Sequence, residues 1–328
     1  MGIKRTCAEK SRERDMKMVK SGVKIRFFES LPHEIVIRIL CLISRRDLIA
    51  VSSASRELRR IFLPYLFAYT KVCWNDLISN WNKHQKPFPI EALQLVESLR
   101  LTGCCSKNEW TFPFAELYSS PRLPNLNSLV IPTSGSTNFF KYSSEGSHLQ
   151  KLRITATKPG SVFSLEHLRP FEQLKKLSLQ DYEIESFDED PSCCRFLDSL
   201  ELINCSWCYP FELENFGRSK IHKIELCYSN AFIISERFKM FLSDPDFENL
   251  NHLSITNNAS NLKLTLSVQA VKLIESNPSL VTLKLSGNIH DETLQQFTAS
   301  DIDNCINHVA LNNVKIFYSS FFKKHQAV

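Results

Sequence analysis

Glycine is scarce in this chain, with 8 among 328 residues. Loops that cradle phosphate groups depend on closely spaced glycines, and the patterns GxxxxGK[ST] and GxGxxG are both absent. The patterns GxSxG and HExxH, typical of serine hydrolases and zinc proteases, are absent too. The sequence therefore predicts no enzyme, no catalytic residue and no cofactor.

Long apolar runs are also missing. None reaches the roughly 18 residues of a membrane-spanning helix, and the charged N-terminus lacks the apolar region of a secretory signal. We therefore expect no membrane association and a location in the cytoplasm, the nucleus or both. In those compartments the 11 cysteines are expected to stay reduced.

Positive charge is concentrated at the N-terminus. Residues 1–26 hold nine Lys or Arg and three acidic residues, a net charge of +6 within a chain total of +5. Residues 27–328 therefore sum to −1, which argues against direct nucleic-acid binding by the body of the protein. Residues 1–26 are expected to form a basic, disordered tail, either a solvated arm or a nuclear-import patch.

What the chain does contain is a repeat. A Leu-x-Leu-like pattern returns every 23 to 30 residues, nine times. Its central residues are Leu99, Leu129, Leu152, Leu177, Leu200, Ile224, Leu253, Leu283 and Val309. Successive side chains of a strand point to opposite faces, so each pair of apolar residues can enter a core that only stacked copies complete. Residues 91–328 are thus predicted to form an α/β solenoid of about nine repeats with a curved parallel sheet on its concave side.

The frame L-x-x-L-x-L-x-x-N/C is typical of leucine-rich repeats. Its N/C position, where a side chain bonds the turn backbone, is filled irregularly, which predicts uneven curvature. The residues there are Cys104, Ser134, Thr157, Tyr182, Cys205, Ser229, Asn258, Asn288 and Val314. Apolar residues at helical spacing predict helices on the convex side over 235–244, 268–277 and 291–300.

Residues 28–67 have a different pattern, with apolar residues at helical spacing. One helix is expected to start near Pro32, a second at Ser44 or Asp47, and a third at Ser53 or Ser55. Three short helices make a marginal core, so this module would gain from covering its remaining apolar surface with a partner. Residues 68–90 are expected to be a linker whose helix caps the first repeat, and this helix holds Trp74, Leu77, Ile78 and Trp81.

The string L-P-x-E-I-x-x-x-I-L-x-x-I-S-x-x-D-L, followed by A-S-R-x-L-R, closely resembles the F-box. Its residues here are Leu31, Pro32, Glu34, Ile35, Ile39, Leu40, Ile43, Ser44, Asp47, Leu48, Ala54, Ser55, Arg56, Leu58 and Arg59. Ala54 stands where the family usually has Val or Cys. Together, this module over 27–67 and the repeats over 91–328 resemble the F-box/leucine-rich-repeat substrate receptors of SCF-type ubiquitin ligases.

The resemblance implies that a trihelical F-box docks on a Skp-family adaptor, which links it to a cullin ligase. The repeats would then hold a target protein for ubiquitin-dependent degradation. Candidate adaptor contacts are Leu31, Pro32, Glu34, Ile35, Ile39 and Leu48. About half of these residues are expected to belong to the core of the module instead. The alternative is an F-box scaffold that assembles a complex without ubiquitylation.

Outward strand positions on the concave face are the candidate target-binding residues. They include Arg100, Lys151, Arg153, Lys176, Glu201, Lys223, Glu225 and Lys284. The first four lack a countercharge on their own strands, which suggests a preference for an acidic or phosphorylated segment. The alternative is a solvated charged face.

A zinc site is the remaining candidate for chemistry. Cys205 and Cys208 have the C-x-x-C spacing, and Cys193-Cys194 lies upstream, which would supply four thiolates. Cys205, however, already occupies a repeat turn position, as Cys104 does. This placement favours structural cysteines, and the sequence predicts no metal site. A zinc-dependent hydrolase is the weakest of the alternatives.

Overall fold

A computed structural model gives the fold of the protein for thirteen segments of the chain. They are residues 31–77, 90–103, 123–133, 148–158, 160–185, 195–207, 221–229, 249–260, 263–266, 274, 279–290, 308–311 and 314–317. The basic tail, the three predicted convex helices except Ile274, and the end of the predicted capping helix lie outside these residues. The chain divides into two compact units, residues 1–66 and 67–328.

Three helices make up the described part of the first unit, and the third of them ends two residues beyond it, at Ala68. They are α1 (His33–Leu42), α2 (Arg45–Ala54) and α3 (Arg56–Ala68). The Ser44 hydroxyl caps α2 by accepting a hydrogen bond from the Asp47 N–H at 3.2 Å. Ser55 caps α3 in the same way, accepting from the Leu58 N–H at 3.0 Å. Both serines offer an oxygen to a backbone donor that the first helical turn leaves unpaired, which is why the helices begin there.

The core of the first unit is small. Leu48, Leu58 and Phe62 are its buried apolar centre. The half-buried residues packed against it are Leu40, Ile43, Val51, Ile61, Tyr65 and Leu66. Phe62 has no exposed surface at all. A core of this size leaves much of the apolar surface of the helices outside it.

The second unit is a parallel-sheet solenoid with few helices among its described residues. Its main sheet holds eleven described strands, in the spatial order β1-β2-β3-β4-β6-β8-β10-β11-β12-β13-β14. They are β1 (Tyr69–Cys73), β2 (Ser98–Thr102), β3 (Ser128–Thr133), β4 (Lys151–Ala156), β6 (Lys176–Gln180), β8 (Ser199–Ile203), β10 (Lys223–Tyr228), β11 (His252–Asn257), β12 (Thr282–Gly287), β13 (His308–Leu311) and β14 (Val314–Phe317). The leucine-rich-repeat class and the count of nine repeats stay predictions.

Register explains why these segments stack. Each central residue of the Leu-x-Leu pattern pairs with the central residue of the next strand, as Leu152 does with Leu177 and Leu177 with Leu200. From β3 to β13 the second apolar residue of each copy pairs in the same way. Two columns of aliphatic side chains therefore run through one continuous core. A slip by one residue would turn every leucine to solvent, which fixes the register.

Strand β1 lies where the sequence predicts a linker. It pairs in parallel with β2, and Thr70 occupies the column that leucine fills elsewhere. A short helical stretch follows over residues 74–77, in which Trp74 and Leu77 are buried in the core of the solenoid. The linker segment is therefore partly a strand of the sheet, and its apolar pattern is hidden because threonine replaces the marker leucine.

In the described residues 160–185 and 195–207, the segments that connect the main-sheet strands carry strands rather than long helices. The strands β5 (Ser161–Ser164), β7 (Tyr182–Glu185) and β9 (Ser206–Trp207) form a second parallel sheet. One short 3₁₀ helix, Leu165–Leu168, and helix α4 (Ile90–Leu93) lie in other described connections. At the C-terminal end, β14 runs antiparallel to β13, so Val314 begins a strand where the repeat pattern predicts a turn.

Candidate functional site

The outward positions of the main sheet form a surface that we call the polar face. It consists of the first, third and fifth residues of the main-sheet strands from β1 to β12. These residues share one side of the sheet because strand side chains alternate. All eight candidate target-binding residues predicted from the sequence lie on it. The charged residues of the polar face are Lys71, Arg100, Lys151, Arg153, Lys176, Glu201, Lys223, Glu225 and Lys284.

We call the first, third and fifth residues of successive strands the first, third and fifth rows of this face. Lysines line up in the first row. Lys151 of β4 is the direct register partner of Lys176 of β6. Lys176 in turn pairs with Ser199 of β8, and Ser199 pairs with Lys223 of β10. Neighbouring strands lie about 4.8 Å apart, so two ammonium groups start from adjacent positions and a third lies two strands further on.

The third row, which holds the third residue of each strand, brings charges of different strands together. A guanidinium nitrogen of Arg153 lies 4.0 Å from a Glu201 carboxylate oxygen, and another lies 3.3 Å from the Gln180 amide oxygen. Arg153 therefore has a countercharge, although none lies on its own strand. The two side chains reach each other across Ser178 of β6, which is small and buried and whose hydroxyl has no hydrogen-bond partner among the described residues.

Glu225 forms the second ion pair of the polar face. The Lys223 ammonium lies 2.8 Å from its carboxylate. Partial burial acts to raise the pKa of Glu225, but the hydrogen bond and charge of Lys223, with Lys176 and His252, outweigh burial and lower it. The pKa of His252 is also lowered, first by burial and then by Lys223 and Lys284, against the pull of Glu225. Both groups thus experience a positive surrounding potential.

The first unit carries an apolar surface on α1. Ile35, Ile39 and Leu42 follow one another at spacings of four and three residues, so they lie on one side of the helix. Ile35 is 39% exposed and Leu42 is 88% exposed, while Ile39 is half-buried. We call these three residues the α1 stripe. Leu40 and Ile43 lie on the adjacent side and pack against the core.

The predicted adaptor contacts divide between surface and core. Pro32 and Glu34 are exposed, and Leu31 is half-buried. Leu48 is buried in the centre of the three-helix core, so its primary contacts are internal. Helix α2 places Leu48 on the face that packs against Leu58 and Phe62 of α3.

A ladder of polar side chains closes the turns after β6, β8 and β10. Asn204 donates to an Asp181 carboxylate oxygen at 3.0 Å, and the Ser229 N–H donates to the Asn204 amide oxygen at 2.5 Å. Asp181 and Asn204 have positive φ values of 62° and 51°. Asp and Asn tolerate this left-handed conformation better than most residues with a side chain, which explains why they occupy these two turn positions. Tyr182 and Cys205, the residues predicted at these turn positions, bond backbone as well: the Tyr182 hydroxyl donates to the Thr133 carbonyl at 3.2 Å, and the Cys205 thiol donates to the Leu179 carbonyl at 3.3 Å.

A cavity of about 370 Å³ opens beside this ladder, lined in part by Lys158, Asp181, Glu183, Asn204 and Ser206. The Asp181 carboxylate already accepts hydrogen bonds from the side chains of Gln180 and Asn204. Its charged group is therefore engaged in closing the turns. No local sequence pattern marks this cavity, because its walls come from turns that meet only in the stacked sheet.

Cys205 is a structural residue in the described geometry. Its thiol donates to the backbone carbonyl of Leu179 at 3.3 Å, and burial raises its pKa to about 12. A zinc ligand must be a thiolate, which this environment disfavours. Cys193, Cys194 and Cys208 lie outside the described residues. Among the residues that the structure does describe, no three His, Cys, Asp or Glu side chains are grouped to hold a metal ion.

The burial of Cys205 predicts slow alkylation. At pH 8 the fraction of thiolate falls with the raised pKa, and the thiol is also covered by protein. We expect iodoacetamide to modify Cys205 at least about a hundredfold more slowly in the folded chain than in denaturant. Peptide-resolved mass spectrometry over time measures both rates. Similar rates in the two states would show that Cys205 is an accessible, reactive thiol.

No helix in the described part of the chain combines the length and the apolar composition that crossing a membrane requires. Searches with the whole chain found no matching family model and no matching curated protein.

Proposed function

We propose that this protein is the substrate-recognition adaptor of an SCF-type E3 ubiquitin ligase. In this proposal the three helices are an F-box that binds a Skp-family adaptor, and the parallel-sheet unit is a leucine-rich-repeat domain that binds the target protein. The chain itself performs no bond chemistry. It raises the effective concentration of the target near the ubiquitin-transfer machinery.

The observation that carries the proposal is the α1 stripe. Ile35 and Leu42 expose apolar surface on a unit whose described core cluster is centred on Leu48, Leu58 and Phe62 alone. Covering a large aliphatic side chain contributes about 1.5–3 kcal/mol, so a partner that buries the stripe stabilises a unit with little core of its own. The stripe begins directly after Leu31-Pro32, the part of the F-box-like string that an adaptor would meet at the helix start.

The sheet unit supports the second half of the proposal. Its described core is continuous across the stacked strands, so the polar face is a long surface held on rigid elements. Such surfaces bind proteins through many side chains on neighbouring strands rather than through one enclosed pocket. In this proposal the two units have separate tasks, one towards the ligase and one towards the target.

Capture of a purified Skp-family adaptor tests the first half. Replacing Ile35 and Leu42 together with Asp is expected to weaken capture at least about a hundredfold, because two apolar contacts are lost and two charges are buried. Ile37→Asp is the matched control, since Ile37 lies on the same helix at 41% exposure but away from the stripe. Its capture is expected to stay within about threefold of the unaltered chain.

Two outcomes separate the alternatives. Equal capture by the double variant and the unaltered chain, with both folded by circular dichroism, would overturn the F-box assignment. Capture of the adaptor without a cullin, and without a change in the lifetime of bound proteins on removing residues 28–67, would favour the scaffold that assembles complexes without ubiquitylation.

A further inference from the structure

Charge is segregated on the second unit. On strands β1 to β12 the polar face carries seven Lys or Arg and two Glu, a net charge of +5. Residues 27–328 together sum to −1, so the rest of that sequence carries −6. A face this basic on a body that is otherwise acidic is an electrostatic feature of the sheet, not a general property of the chain.

Repulsion between neighbouring lysines of the first row lowers the stability of the fold. Like charges directly opposite on neighbouring strands are destabilising, and Lys151 and Lys176 occupy such a pair of positions. Their strand neighbours in the row, Ser128 and Ser199, bring no countercharge. The two carboxylates of the face lie in the third row, where Glu201 approaches Arg153 and Glu225 bonds Lys223. An anionic occupant would remove the repulsion that remains between Lys151 and Lys176.

The spacing of the row matches an extended peptide. From Lys151 on β4 to Lys223 on β10 there are three strand intervals, which is about 14 Å. Residues at positions i, i+2 and i+4 of an extended chain lie on one side and span about 13 Å. Three acidic side chains at alternate positions can therefore reach the three lysines at once.

The type of cation decides between kinds of anion. Phosphate groups are best held by the fork of an arginine, whereas lysine acts as a point charge. Arg153 is already shared between Glu201 and Gln180, and Arg100 lies two strands from Lys151 in the third row. What remains in the first row is the adjacent pair Lys151 and Lys176, followed beyond Ser199 by Lys223, which an occupant would share with Glu225. Such a row of point charges suits distributed carboxylates better than a single phosphate.

We propose that the first row of the polar face, centred on Lys151, Lys176 and Lys223, docks an extended segment of the target protein with Asp or Glu at alternate positions. This inference rests on the proposed function only in taking the segment to belong to a target of the ligase. The lowered pKa values of both Glu225 and His252 agree with the positive potential of this region.

The test uses the full chain and a fluorescent peptide of alternating Glu and Ser, about twelve residues long so that it exceeds the row. At about 0.15 M ionic strength, replacing Lys151 and Lys176 with Ala is expected to weaken binding about tenfold, since each exposed charge pair contributes modestly. The matched control replaces Lys158 and Lys175, two exposed lysines outside the row, and should leave the affinity within about twofold.

Three further probes make the result decisive. A Gln-Ser peptide of the same length should not bind. Unchanged affinity of the Lys151/Lys176 variant overturns the inference. So does tighter binding of a Gln-Ser peptide with one phosphoserine, which would indicate a phosphate site, or of a single-stranded DNA of equal charge, which would indicate general polyanion binding.

Adaptor capture measured on the same preparations separates this inference from the proposed function. Capture of the Skp-family adaptor without peptide binding would reject the acidic segment alone. Peptide binding without adaptor capture would reject the ligase function and leave the acidic site intact.

Discussion

Replacing Gly287 with alanine is expected to destabilise the sheet unit by about 3 kcal/mol, lowering its melting temperature by roughly 6–10 °C. Gly287 ends β12 with φ of +89°, a conformation that costs residues with a side chain free energy. A Cβ atom there would also overlap the backbone carbonyl of Asn257 on β11. That carbonyl accepts a hydrogen bond from the Asn288 N–H at 2.9 Å. The clash would therefore disrupt a hydrogen bond between neighbouring turns.

The side chain of Asn257 adds to the expected loss. It is fully buried, donates to the Asn288 carbonyl at 2.7 Å and accepts the Ala259 N–H at 3.0 Å. Moving the turn to make room for a methyl group would loosen these buried hydrogen bonds. Leaving a buried polar group unsatisfied costs about 1–3 kcal/mol.

Gly103→Ala is the matched control. Gly103 has nearly the same φ, +86°, but its Cβ would lie 3.6 Å from the Cys73 sulfur, an ordinary contact. The control should therefore lose only the conformational part, about 1 kcal/mol. Thermal unfolding followed by circular dichroism measures both variants. Equal losses would mean that the close approach to Asn257 does not matter.

Phe62→Ala is expected to unfold the three-helix unit and to leave the sheet unit folded. Removing a buried phenylalanine costs about 3–5 kcal/mol, which is comparable to the whole stability of a small domain. Phe62 has no exposed surface and packs with Leu48 and Leu58 in a core that is separate from the core of the sheet unit. Few other buried contacts in this unit can therefore compensate for the lost stability.

Hydrogen exchange measured by mass spectrometry resolves the two units. Peptides covering 33–66 should lose their protection in the Phe62 variant, while peptides from β4, β6 and β8 keep theirs. Leu42→Ala is the control, because its side chain is mostly exposed and its loss should cost less than about 0.5 kcal/mol. Simultaneous loss of protection in both units would show that they unfold as one.

The regular parts of the fold were predictable because one physical rule sets each of them. The alternation of Leu-x-Leu fixes which side chains enter the core, and the observed register pairs these leucines from strand to strand. Ser44 and Ser55 were predicted as helix starts for the capping that they make. Strand β1 was missed because Thr70 replaces the leucine, and the second sheet because its strands are only two to four residues long.

For the candidate binding surfaces, the positions of the residues were predictable from the sequence, whereas the neighbours that surround each residue were not. The eight charged residues lie on the polar face as alternation requires, yet the approach of Arg153 to Glu201 spans 48 positions in the sequence. It depends on Ser178 being small on the strand between them. In the helical unit, the resemblance to the F-box marked Ile35, Ile39 and Leu48 alike as adaptor contacts, and packing buries Leu48.

The sequence alone determined the stack, because period-two alternation within each copy and a near-constant spacing between copies leave the leucines no other shared core. Tertiary structure alone decided which charges meet, which turns accept only a residue without a side chain, and which apolar residues of the helices remain uncovered. Those outcomes depend on distances between strands and helices that are far apart along the chain, and no local pattern encodes such distances.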